Sequence, residues 1–152
     1  MRLYIASDHA GFHVKEFVKG LFTERGYEVV DLGPESDDRV DYPDFAAKVA
    51  RAVAQEEGSQ GVLICGTGIG MSIAANKIRG IRAAEVHDYY TAQMARAHND
   101  ANILCFGERV VGKGVIESIV EAWCSTPFEG GRHAQRVEKI MVLESEGERD
   151  GN

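Results

Sequence analysis

The sequence predicts an α/β fold: a doubly wound, Rossmann-like sandwich with a five-stranded parallel sheet, in a single domain that ends in a C-terminal helix. Three observations predict it. Short β-branched runs alternate with segments whose apolar residues recur at helical spacing. Val62-Leu63-Ile64-Cys65 is apolar without a break, the mark of a strand buried on both faces. Crossovers between parallel strands are right-handed, which puts helices on both sides of such a sheet.

The elements follow in order. Leu3-Tyr4-Ile5-Ala6 reads as the first strand. Val14, Phe17, Val18, Leu21 and Phe22 recur every third or fourth residue, and Gly26 stops that helix. Residues 27–32 read as the second strand, and residues 33–44, with Pro34 and Pro43, as a polar loop. Residues 45–53 are helical, with Asp41 or Asp44 as the cap. The buried third strand ends at Cys65, and after a glycine-rich turn residues 71–78 are helical. Residues 81–86 form the fourth strand, and Asp88 opens a helix that runs to about His98. Residues 102–106 are the fifth strand and residues 115–123 a further helix. Pro127, Gly130 and Gly131 break the chain. A last amphipathic segment begins near Arg132, with Val137, Ile140 and Met141 on one side. The domain spans residues 1–143, and residues 144–152 are expected to be a flexible acidic tail.

Composition narrows the function. A chain of 152 residues buries roughly two-thirds of its unfolded surface, enough for a core without disulfides or structural metal. Its 17 Lys and Arg against 24 Asp and Glu give a net charge of −7, the wrong sign for non-specific nucleic-acid binding. A small anionic ligand would need arginines gathered locally. No run approaches the ~18 apolar residues that span a membrane. Residues 3–6 are followed at once by Asp8 and His9, so no signal peptide is expected. Cys65, Cys105 and Cys124 are odd in number and widely spaced, which argues against a disulfide framework or a zinc site. A cytoplasmic setting is the expectation.

In doubly wound sheets ligands bind beyond the carboxyl ends of the strands. Four polar clusters are expected on that rim: Ser7-Asp8-His9, the segment 65–70, His98-Asn99 and Arg109. Gly66-Thr67-Gly68-Ile69-Gly70 joins a buried strand to a helix start, where free N–H groups favour an anion. A plain tight turn is the alternative. A dinucleotide fingerprint fits less well, since Met71 stands where Gly or Ala is needed. Residues 107–114 mimic a P-loop but lack the closing Ser or Thr.

Cys65 closes the third strand beside that turn. A thiol so placed can act as base or nucleophile, or can be a buried core cysteine. Cys105 and Cys124 read as packing residues. His98, a proton shuttle near neutral pH, could also simply complement a helix dipole. Asp8 and His9 could cap the first helix, and His13 and His87 lack polar company and read as structural. Arg132 and Arg136 share one helical face around His133, suiting a phosphate or carboxylate or forming a solvated basic face.

These segments resemble the type B ribose-5-phosphate isomerases, a group that includes galactose-6-phosphate isomerase subunits. SDHAG at 7–11, DYPDFA at 41–46, CGTGIGMSIAANK at 65–77, HNDANIL at 98–104, GERVVG at 107–112 and GGRHAQRV at 130–137 carry the resemblance, in order, over about residues 2–140. It implies a homodimer with the active site at the subunit interface, no metal and no cofactor. By position, Cys65 is the base that moves a proton between C1 and C2. Thr67, Asn99 and the N–H groups of Gly66, Gly68, Ile69 and Gly70 stabilise the enediolate. Asp8 and His98 open the furanose ring. His9, Arg109, Arg132 and Arg136 hold the phosphate, some of them from the partner chain, and Tyr42 lines the pocket. One branch of the family has a glutamate base where Met71 stands; Cys65 with Met71 resembles the cysteine branch. The expected reaction is ribose 5-phosphate to ribulose 5-phosphate, in the pentose phosphate pathway. The alternatives are isomerisation of allose 6-phosphate or galactose 6-phosphate, or a non-catalytic nucleotide- or metabolite-binding module.

Overall fold

Alternating apolar runs become alternating strands and helices. A computed structural model of the protein describes residues 1–149. In chain order the elements are β1 (Arg2–Ser7), α1 (Phe12–Glu24), β2 (Glu28–Asp31), α2 (Tyr42–Gln55), β3 (Gln60–Cys65), α3 (Ile69–Ala75), β4 (Ala83–Glu85), α4 (Tyr89–Ala97), β5 (Ile103–Gly107), α5 (Lys113–Ser125) and α6 (Arg132–Arg149). All strand pairs are parallel, in the order β2-β1-β3-β5-β4. The winding reverses between β1 and β3, which makes the gap beyond their carboxyl ends the switch point where a ligand is expected.

The period-two alternation of β3 sorts its side chains into two cores. Val62 and Ile64 join Val18, Phe22, Ile119 and Trp123 under α1, α4 and α5. Leu63 and Cys65 join Val49, Ala50, Met71 and Ala75 under α2 and α3. Every residue of β3 is buried, as its unbroken apolar run predicts.

Several boundaries differ from the sequence expectations, three of them with a physical reason or consequence. Helix α2 begins at Tyr42, because Pro43 fits a first helical turn, where its missing N–H costs nothing. Strand β4 shrinks to three residues at the sheet edge, although the flanking Ile81 and Val86 are buried. The expected acidic tail divides: residues 144–149 continue α6, and 150–152 lie outside the described residues. Within that stretch the Glu144 carboxylate accepts the Gly80 N–H at 3.0 Å.

Candidate active site

Cys65 ends β3 at the switch point, nearly buried. The chain then turns through Gly66 and Thr67 to Gly68, whose φ of 84° lies in the left-handed region. A Cβ at Gly68 would stand 2.8 Å from the Phe106 backbone, so only glycine lets the turn fold against β5. This conformation brings the Gly68 N–H onto Cys65 Sγ, to which it donates at 3.1 Å. The turn is pinned from the other side: Glu108 N–H donates to the Cys65 carbonyl at 2.9 Å, and Arg109 N–H to that of Gly66 at 3.0 Å. Thr67 Oγ1 accepts the Ile69 N–H at 3.2 Å.

Neighbouring elements complete an open pocket of about 450 Å³. Asp8 follows β1; its N–H donates to the Ile64 carbonyl at 3.0 Å and its carboxylate accepts the Gly11 N–H at 3.0 Å. Tyr42 opens α2 and lays its ring on Gly70, while the Arg109 guanidinium lies over Gly66. Asp8, Tyr42, Cys65, Thr67, Ile73 and Arg109 line the pocket. His9 stands one residue beyond Asp8, with Nδ1 3.2 Å from the Val40 carbonyl oxygen. A thiol, a carboxylate, a hydroxyl and a guanidinium thus face one cavity. That set can move a proton and bind an anion.

His98 and Asn99 are not part of it, contrary to the expectation of one shared rim, and neither are Arg132 and Arg136. In a parallel sheet each helix runs back antiparallel to its strands, so α4 starts at the carboxyl edge and ends at the amino edge. His98 caps that far end of α4. Asn99 lies beside it: its carbonyl accepts from Arg82 Nε at 3.2 Å, and the residue lines a separate cavity with Ile140 and Met141. Loop 126–131 packs there too, through the Glu129 N–H on the Ala97 carbonyl at 3.0 Å. Arg132 and Arg136 project exposed from the start of α6, without an ion-pair partner among the described residues.

Other expectations are refined. Neither Asp8 nor His9 is the cap residue of α1, which is Gly11. His13 and His87 do have polar company, at 3.3 Å from Asp37 and 3.4 Å from Glu85. Cys105 is buried, and burial pushes its thiol well above the ordinary range, as suits a packing residue. Burial also raises Cys124, against a hydrogen bond with Tyr27. Glu129 carried no sequence signal, yet its Oε2 lies 3.5 Å from both His98 Nε2 and His133 Nε2. Among the described residues no helix is long and apolar enough to cross a membrane.

The fold and pocket define an α/β enzyme with proton-transfer groups and an anion site at the switch point of its sheet. Residues 3–140 match the model of the ribose/galactose isomerase family. The chain is 50% identical to ribose-5-phosphate isomerase B of Escherichia coli over 143 residues, 94% of this chain and 96% of that protein. The Clostridium thermocellum ribose-5-phosphate isomerase B structure superposes with a TM-score of 0.93 at 51% identity, covering 96% of this chain and 99% of that one. A Mycoplasma genitalium ribose-5-phosphate isomerase B, solved with bound ribulose-5-phosphate, gives 0.92 at 43% identity, covering 95% and 97%. The chain belongs to the ribose/galactose isomerase family and is a sugar-phosphate isomerase.

Proposed function

We propose that this enzyme interconverts ribose 5-phosphate and ribulose 5-phosphate through an enediolate, with Cys65 as the base. The observation that carries this reading is the Gly68 N–H on Cys65 Sγ, inside a pocket that also presents Asp8 and Thr67. Aldose–ketose isomerisation needs one group to take a proton from C2 and return it to C1. It also needs donors for the oxyanion that forms in between. Cys65 as thiolate takes the C2 proton of the open-chain aldose, and the electron pair moves to O1. A proton passes from O2 to O1, and the Cys65 thiol then protonates C1, regenerating the thiolate. Thr67, the N–H groups of residues 66–70 and Asn99 stabilise the oxyanion. Asp8 and His98 open the furanose ring, and His9, Arg109, Arg132 and Arg136 hold the phosphate. Binding energy at that remote phosphate orients the reacting carbons.

The functional unit in this reading is a homodimer. Cys65 and His98 lie at opposite ends of one sheet, so a second chain brings its His98, Asn99, Arg132 and Arg136 to the first chain's pocket. The chemistry uses no metal and no cofactor, and it belongs to the pentose phosphate pathway in the cytoplasm. The names of the close relatives support the five-carbon substrate. The test is a paired assay on ribose 5-phosphate, allose 6-phosphate and galactose 6-phosphate, with and without a chelator. A higher kcat/KM on ribose 5-phosphate, unmoved by chelation, is expected. Preference for a six-carbon substrate, or a need for a divalent ion, overturns the reading.

A further inference from the structure

Two residues surround His98 in a way that the reaction so far leaves unused. His98 follows the last turn of α4, and His133 lies in the first turn of α6. The segment between is fixed to α4 by the Glu129 N–H, which donates to the Ala97 carbonyl at 3.0 Å. That bond delivers one carboxylate oxygen, Glu129 Oε2, to within 3.5 Å of both His98 Nε2 and His133 Nε2. The two rings stack with centroids 4.1 Å apart and planes 9° from parallel. His133 is buried beneath His98, whose side chain is 38% exposed.

A carboxylate can only accept, so at 3.5 Å its charge favours a proton on the ring nitrogen that faces it. Glu129 therefore favours the tautomer of His98 protonated at Nε2, which leaves the lone pair on Nδ1. The stack fixes the plane of the ring. Two imidazolium rings at this spacing would repel each other. Burial first, and then the neighbouring His98, outweigh Glu129 and hold His133 below the ordinary histidine range.

The same three ligand atoms lie within 4.8 Å of one another, close enough to raise the question of a metal ion. The stack argues against one. Imidazole lone pairs lie in the ring planes, and two near-parallel planes do not direct them to one ion about 2.0–2.1 Å from each nitrogen. The arrangement orients a ring; it is not set up to chelate.

We propose that Glu129 and His133 are positioning residues for His98: the carboxylate sets its tautomer and the stacked ring its plane, so that Nδ1 is the nitrogen that takes the sugar proton. This rests on the assignment of His98 to ring opening. Opening the furanose removes a proton from O1 and delivers one to O4, while the ring C1–O4 bond breaks. A ring that flips or changes tautomer has its lone pair in place for only a fraction of encounters. Loss of the correct tautomer in a Ser-His-Asp triad costs about 10⁴-fold. Here the contact is 3.5 Å and half-exposed, so the expected loss is far smaller, about tenfold.

The test uses the full-length enzyme and two substrates: ribose 5-phosphate, and its 4-deoxy analogue, which lacks O4 and cannot close a furanose ring. In Glu129→Gln and His133→Ala, kcat on ribose 5-phosphate falls about tenfold with KM nearly unchanged, while the 4-deoxy analogue is turned over about as in the wild type. His133→Phe, which restores a flat ring to the stack, recovers most of the loss. Nitrogen NMR of His98 shows the Nε2–H tautomer in the wild type and a mixture in Glu129→Gln. Equal losses on both substrates, or unchanged His98 signals in Glu129→Gln, overturn the proposal. His98→Asn isolates the premise. If it spares ribose 5-phosphate, or damages both substrates alike, the ring-opening role falls. The NMR comparison then still decides whether Glu129 sets the His98 tautomer.

Discussion

Cys65 and His98 stand at opposite ends of the same parallel sheet. Cys65 closes β3 at the carboxyl edge, and His98 ends α4 at the amino edge. A strand of six residues spans about 17–20 Å. A thiol and an imidazole that act on one five-carbon sugar cannot be that far apart. Either they do not share a site, or they come from two chains. The exposed Ile69 and Ile73 beside the pocket, and Ile140, Val142 and Leu143 along α6, offer apolar surface for a second copy to cover.

Complementation decides between these. A Cys65→Ala chain and a chain carrying Arg132→Ala and Arg136→Ala are each expected to be nearly inactive. In the proposed phosphate clamp each arginine would supply a charge-assisted contact worth about 1.5–3 kcal/mol, or about 10- to 150-fold in kcat/KM. Unfolded and refolded together in equal amounts, half of the dimers are mixed, and each mixed dimer holds one intact site in two. Activity is expected to recover to about a quarter of wild type. Subunit exchange confirmed by mass, without recovered activity, shows that the arginines do not serve the partner's site.

The cysteines are expected to separate by role. Cys65→Ala abolishes isomerisation and leaves binding of the sugar phosphate largely intact. Cys105→Ala and Cys124→Ala keep turnover and lose some stability, since both thiols are raised by burial. Near-normal kcat in Cys65→Ala removes it as the base. An inactive but well-folded Cys105→Ala would falsify the assignment of that residue to packing.

Gly68→Ala tests the geometry that aims an N–H at the sulfur. The left-handed backbone alone costs a residue with a Cβ about 1–2 kcal/mol, and the new methyl meets the Phe106 backbone at 2.8 Å. The turn must shift, and Cys65 Sγ loses its donor. A fall in kcat of at least about tenfold is expected, the equivalent of about 1.4 kcal/mol, with the fold retained by circular dichroism. Wild-type kcat in a folded variant counts against a role for this N–H.

Much of this was legible in the residues themselves. The unbroken run at β3, the caps and the glycine stops placed all five strands and six helices, because local periodicity reports burial directly. Strand order was not legible, since whether β4 or β5 is the strand that pairs with β3 depends on long crossovers. The expectation that places His98 on the carboxyl rim is overturned by chain direction. A helix returning between parallel strands must end at the amino edge, so any residue just before β5 lies there. Glu129 had no local signal at all, since its contact to His98 forms only when loop 126–131 folds back on α4.

The acid side of stability is expected to depend on Asp31. Lys15 is fully buried, and its ammonium donates to Asp31 Oδ1 at 2.9 Å and to the Pro34 carbonyl at 2.6 Å. Lys19 donates to the other Asp31 oxygen at 2.9 Å, and the Gly33 N–H to Oδ1 at 2.8 Å. Burial of Asp31 acts to raise its carboxyl, but Lys15, Lys19 and the Gly33 N–H outweigh it and hold the carboxyl below the ordinary range. A carboxyl depressed in the native state adds stability above its unfolded pKa, near 4, and loses it as pH falls through the native value. Asp31→Asn leaves the Lys15 charge buried with only neutral oxygen acceptors, a loss of about 3 kcal/mol at pH 7. Asp31 is partly exposed, which places the figure at the low end of that range. Replacing both groups, Lys15→Met with Asp31→Asn, removes the stranded charge and is expected to cost less than Asp31→Asn alone. Thermal melts of the three proteins from pH 7 to pH 3 check this. The gap between wild type and Asp31→Asn should hold down to about pH 4 and close below it. A gap that persists unchanged at pH 3, or a double variant less stable than the single, means that this pair is not what holds the β2–α2 connection.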